Sequence, residues 1–155
     1  MDQIEFLGAT PQSLRQMTGY LSDAQWRARP AADEWSPLEV VAHLLDIERE
    51  LYGVWVLRVL REDRPTLADR FRAAELARER GYNQLDPAAT LAAFAAAREA
   101  TVGALRQAVA GAWDRTWVDR EGAAQTARFL LRRFANHDAI HIGQLARAKR
   151  SLRAF

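Results

Sequence analysis

The sequence has no cysteine, which rules out disulfides, thiolate metal ligands and a cysteine nucleophile, so any thiol chemistry must borrow its sulfur. Glycine is scarce, with eight residues in 155, and none of it builds the phosphate-cradling loop of a nucleotide enzyme. Serine occurs only at Ser13, Ser22, Ser36 and Ser151, and no Gly-x-Ser-x-Gly elbow activates one as a nucleophile. Long apolar runs are missing too. The longest, Leu51 to Leu57, stops at Arg58, far short of the ~20 residues that span a bilayer. The opening Met1-Asp2-Gln3-Ile4-Glu5 is acidic and does not read as a secretory signal. A cytoplasmic protein with no membrane partner is the expectation.

What is present is ordinary for one globular unit: 49% apolar and 27% charged residues in a chain long enough to bury a core unaided. Residues 1–155 therefore read as a single domain, in which a metal would serve function rather than hold the fold. The net charge is only +2 although the sequence pI is about 9.5, because nearly all the cations are arginine. Arginines cluster at Arg70, Arg72, Arg78 and Arg80 and from Arg147 to Arg153, with Asp69, Glu75 and Glu79 interleaved in the first group. That pattern describes a solvated helix face rather than a nucleic-acid surface.

Alanine and leucine dominate and no run alternates apolar with polar residues for long, so the class is all-α. A first helix can begin at Asp2, with Thr10-Pro11 as a restart and Leu7, Leu14 and Leu21 on one side. Asp23 to Asp33 is a connection. Ser36-Pro37-Leu38-Glu39 is a capping box with proline at the first helical position, opening a second helix to about Leu60. Its seam is Val40, His43, Ile47, Glu50, Val54 and Leu57. Leu67 to Arg80 is a partly helical crossover. Asp86-Pro87 opens a third helix to about Ala110, ending near Gly111, with a seam of Leu91, Ala95, Arg98, Val102, Leu105 and Val109. The last helix runs from about Thr126 to Arg150 and turns Leu130, Phe134, His137, His141, Gln144 and Ala148 inward. Four main helices make a four-helix bundle.

The chain has three histidines, and helical spacing turns all three toward the bundle interior. His137 and His141 are four apart, so their side chains leave one helix face about 5–6 Å apart at Cβ, close enough to grip one ion. His43 brings a third imidazole from another helix. Three protein nitrogens leave one coordination position open, as catalytic sites do and closed structural sites do not.

Two stretches resemble the DinB-like, or YfiT-like, metalloenzymes: Glu34-Trp35-Ser36-Pro37-Leu38-Glu39-Val40-Val41-Ala42-His43-Leu44, and His137-Asp138-Ala139-Ile140-His141-Ile142-Gly143-Gln144-Leu145. The helix order agrees along nearly the whole chain. The resemblance implies a helical bundle whose three metal ligands are His43, His137 and His141. It further implies zinc or nickel, frequent homodimers, a small-molecule substrate and, in characterised branches, transfer or isomerisation chemistry using a low-molecular-weight thiol such as bacillithiol or mycothiol. A hydrolase using a metal-activated water, and a stress-response protein that binds metal or ligand without turnover, have the same sequence signature.

Around the ligands, Asp46 and Gln144 are candidates to touch a histidine ring or a metal-bound species. Glu39 is already used by its capping box. Arg98 lies on a core seam, where an unpaired cation is costly, and is expected to meet either a carboxylate such as Glu50, the favoured reading, or an anionic ligand. Trp35 is placed either to wall the pocket or to staple the helix start. His137-Asp138-Ala139-Ile140-His141 also resembles the zinc-protease motif with aspartate for glutamate, but the acid is one methylene short and no strand exists to align a peptide. A ferritin-like di-iron centre needs paired Glu-x-x-His motifs that the chain lacks.

Overall fold

The computed structural model describes residues 2–68 and 71–152. Asp69, Arg70 and Arg153, members of the two arginine clusters, lie outside the described residues. The architecture is an all-α four-helix bundle.

Helix α1 spans Gln3–Thr18, with the Asp2 side chain accepting from the Ile4 N–H at its start. It runs straight through Pro11 instead of restarting there. Proline has no N–H, so the Leu7 carbonyl loses its helical donor. The Arg98 guanidinium supplies one instead, at 3.0 Å. A short α2, Asp23–Arg27, opened by a Ser22/Gln25 capping box, occupies part of the expected connection.

The capping box at Ser36 opens α3, Pro37–Glu50: Glu39 N–H donates to Ser36 Oγ at 3.2 Å and Ser36 N–H to Glu39 Oε2 at 2.8 Å. The expected single helix to Leu60 is broken at Leu51 (φ −129°, ψ −96°), and α4, Tyr52–Arg61, continues beyond the break. Glycine is required just after it, because a Cβ on Gly53 would lie 2.1 Å from the Glu48 carbonyl oxygen. The break slips the buried seam. Beyond it Val54, expected inside, faces out, while Tyr52, Trp55, Val56 and Val59 are buried; Glu50, also expected inside, is exposed at the end of α3 ahead of the break.

The crossover holds α5, Ala73–Glu79, and a 3₁₀ turn at Tyr82–Gln84. Asp86 caps α6, Pro87–Arg106, which stops before the expected Ala110 and leaves Val109 exposed. Gly111 falls instead in a 3₁₀ turn, Ala110–Asp114. A hairpin absent from the sequence expectation follows: β1, Thr116–Val118, pairs antiparallel with β2, Ala124–Thr126. Asp119 Oδ1 accepts from the Glu121 and Ala123 N–H groups in its turn, and Gly122 takes φ +84°. Thr126 Oγ1 then accepts from the Phe129 N–H at the start of α7, Ala127–Leu152.

α6 and α7 each pack against both α1 and α3, so the four helices surround one long core. That core has two apolar lobes. One gathers Leu7, Trp55, Leu105, Trp117 and Phe134, the other Leu14, Trp26, Leu44, Phe94 and Leu145. No helix among the described residues is long and apolar enough to cross a membrane.

Candidate metal centre

His43 comes from the middle of α3, while His137 and His141 stand one turn apart on α7, so α3–α7 packing brings the three rings together. One nitrogen from each ring lies within 4.8 Å of those of the other two. The Nε2 atoms of His43 and His137 are 3.1 Å apart. Two nitrogens bound to one tetrahedral ion at about 2.0–2.1 Å stand about 3.3 Å from each other, so the cluster is close to coordinating geometry before any ion is considered.

Electrostatics prepares the same outcome. Burial, reinforced by the neighbouring rings of His141 and His137, pushes His43 down to about 2. Burial, with His141 and the Arg98 cation adding to it, takes His137 down to about 3. Burial also lowers His141, while its hydrogen bond to Gln144 acts in the opposite sense. All three imidazoles are therefore neutral at physiological pH, with lone pairs free to donate.

Gln144 lies against His141, with Oε1 2.8 Å from Nδ1. An Nδ1–H donated to that oxygen leaves the lone pair of His141 on Nε2, free to bind a metal ion. The Nδ1 atoms of His43 and His137 are buried with no protein partner among the described residues. Their rings are held by packing. Trp35 and Phe71 meet His43 at 4.9 and 5.6 Å between ring centroids, and Tyr52 meets His137 at 5.5 Å. Trp35 also lies nearly parallel to His141 at 6.1 Å, so it walls the site.

Family membership follows from the whole sequence rather than from these rings. The sequence profile of the DinB superfamily matches residues 7–145. This chain belongs to the DinB superfamily. Its structure is similar to that of YfiT from Bacillus subtilis, described as a probable metal-dependent hydrolase with an unusual four-helix bundle topology. The TM-score is 0.85 at 20% identity, over 97% of this chain and 85% of that one. It is also similar to a mycothiol-dependent maleylpyruvate isomerase, with a TM-score of 0.65 at 14% identity; the match covers 92% of this chain but 59% of that chain. At these identities the likeness is one of fold. No curated protein matches the sequence significantly.

Within this DinB-superfamily bundle the other candidates are placed as follows. Asp46 does not meet His43. It accepts from Arg80 Nη1 at 2.6 Å and from the Tyr82 hydroxyl. Tyr82 is pushed up, by burial first and by the Asp46 carboxylate second, so it stays a neutral donor to that acid. Arg98 does not meet Glu50, which lies at the exposed end of α3 and pairs with Arg80 at 2.9 Å between Nη2 and Oε2. Glu48 takes the inner place, 2.6 Å from Arg98 Nε, and Asp138 receives Arg98 Nη1 at 2.6 Å. Asp138 is thus tied into the core and is no free base for protease-like chemistry.

One regularity emerges that the sequence did not announce. The five acids on the two histidine-bearing helices all pair with arginine: Glu39 with Arg29, Asp46 and Glu50 with Arg80, Glu48 and Asp138 with Arg98. The centre is a neutral nitrogen cluster with aromatic walls and no uncommitted carboxylate from either helix. Tyr52, Phe71, Tyr82, Arg80 and Glu48 were missed as neighbours of the site. Only the aromatic density around Tyr52-Gly53-Val54-Trp55 gave a hint of them.

Proposed function

We propose that this protein is a divalent-metal-dependent enzyme, a single domain over residues 1–155, in which His43, His137 and His141 hold one zinc or nickel ion. Its reaction is transfer of a low-molecular-weight thiol of the bacillithiol or mycothiol kind to a small electrophile. The donor set fits such an ion: three neutral, converging nitrogens, one of them oriented by Gln144. When bound, the ion supplies Lewis acidity, which favours the ionised form of a coordinating thiol.

The observation that carries the thiol reading is the arginine pairing of every acid on α3 and α7. Activating water at neutral pH is helped by a general base within hydrogen-bonding reach. A thiol needs less help, since its ordinary pKa of about 8.5 is already near neutrality. The residues then bind and shield: Trp35 and Phe71 form apolar walls for the carbon frame of the electrophile, and Gln144 fixes the His141 ring. A homodimer, as the family resemblance implies, and a cytoplasmic location, the expectation from the sequence, complete the proposal.

Hydrolysis is the second reading, favoured by the likeness to YfiT. Metal-loaded protein should be offered a generic aryl halide with bacillithiol or mycothiol, and separately an activated ester without thiol. Conjugate formation that disappears in His43→Ala supports transfer. Ester cleavage without thiol replaces that reading with hydrolysis, and neither reaction leaves a binding protein without turnover.

A further inference from the structure

The buried ion cluster centred on Arg98 lies outside the proposed chemistry, yet it touches all four bundle helices. From α6 the guanidinium donates to Leu7 O of α1 at 3.0 Å, to Glu48 Oε2 of α3 at 2.6 Å, and to Asp138 of α7 by a fork, with Nη1 to Oδ2 at 2.6 Å and Nη2 to Oδ1 at 3.3 Å. Arg98 and Glu48 are 1% exposed and Asp138 is 0% exposed. Phe94 and Phe134 cover the guanidinium carbon, with ring centroids at 4.9 and 4.7 Å. Pro11 frees the Leu7 carbonyl for this arrangement.

Such a cluster is a poor source of stability. Removing two carboxylates and a guanidinium from water costs as much as their attraction returns, and apolar residues of like volume do as well or better. What it offers is direction. A forked charge pair has one geometry, which adds a directional constraint to the apolar packing around it. Asp138 directly follows His137 on α7, and Glu48 lies five residues after His43 on α3. A second contact path leads the same way: Phe134 stacks on Tyr52 at 5.4 Å, and Tyr52 meets the His137 ring at 5.5 Å.

The magnitudes make rotation matter. A side-chain tip at the ~5–6 Å radius of a helix moves about 2 Å when the helix turns by about 20°. Metal–nitrogen bonds tolerate about 0.2 Å. We infer that Arg98, with Asp138 and Glu48, is a positioning residue: it locks the rotation of α7 against α3 and so holds His137 and His141 opposite His43 at ion-binding separation. This inference rests on the three-histidine metal reading.

The test uses the full chain, stripped of metal and titrated with Co(II) alone, following affinity, the visible d–d bands and thermal unfolding of the metal-free form. Asp138→Asn keeps the volume but weakens the fork. It should bind Co(II) about 10- to 100-fold more weakly, with shifted bands. The triple variant Glu48→Leu, Arg98→Met, Asp138→Leu should melt at or above the parent temperature while losing at least as much affinity. Co(II) binding within twofold of the parent with unchanged bands, in either variant, overturns the inference. So do parallel losses of metal-free stability and affinity in both. A parent protein that takes up no Co(II) sinks the metal reading itself, a result distinguishable from the others.

Discussion

Two buried polar clusters share α3 and α7, and they are built in opposite ways. The histidine cluster is neutral, and two of its buried Nδ1 atoms have no partner among the described residues. The Arg98 cluster is charged, and its guanidinium donates to three different helices. Neutral nitrogens that converge, as the Nε2 atoms of His43 and His137 do at 3.1 Å, are what an ion needs. The charges of the Arg98 cluster are spent on one another, apart from Glu48 Oε1, which is buried without a partner among the described residues, and they fix their surroundings. The contrast separates the part of the core that reacts from the part that aligns it.

The comparison breaks most visibly on the charged side. Arg98→Met alone strands two carboxylates at 1% and 0% exposure, and should destabilise the fold by about 3–5 kcal/mol in urea unfolding. A loss under about 1 kcal/mol would mean that the cluster is hydrated in solution. Next in size is Gly53→Ala, which drives a methyl to 2.1 Å from the Glu48 carbonyl oxygen. We expect about 1–3 kcal/mol of destabilisation by the same measurement, as overpacked sites show.

On the neutral side the probe is pH. His43 sits at about 2 in the folded chain against an ordinary 6.5, so below about 6.5 the unfolded chain binds the extra proton. Metal-free protein is fully stabilised by this site above about pH 6.5. Stability then falls as pH drops from 6.5 toward 3, by about 1.4 kcal/mol per pH unit from His43 and by further contributions of the same sign from His137 and His141, so His43→Gln should make the slope shallower by about 1.4 kcal/mol per pH unit. Equal slopes in the two proteins would contradict the buried, neutral assignment. The smallest change expected is Gln144→Ala, which frees the His141 ring and should weaken Zn(II) binding about 10-fold in a chelator competition without altering the melting temperature of the metal-free form.

Much of this was legible in the chain. Ser36-Pro37 and Asp86-Pro87 mark helix starts because a cap and a proline each satisfy a local requirement that no distant residue can change. The three histidines are legible for a related reason: three- and four-residue spacing decides which face a side chain shares. The break at Leu51 was not, since one irregular residue shifts every later position by about 100° and the apolar pattern of Tyr52 to Val59 reads equally well on either side of it. Glu48 rather than Glu50 meets Arg98 for a different reason: ahead of the break it extends the buried Val41 and Leu44 row of α3, a second inward face beside the one that carries His43. The hairpin at Trp117 was hidden because three-residue strands are too short to show alternation. Phe71 reaches His43 from irregular chain, where periodicity carries no information.

The central claim is that imidazoles from α3 and α7 share one ion. Metal content of untagged protein, measured by elemental analysis beside His43→Ala and His141→Ala, tests it most directly. The account predicts one zinc or nickel per chain in the parent and none in either variant. A parent without metal, or variants that keep a full equivalent, would contradict it.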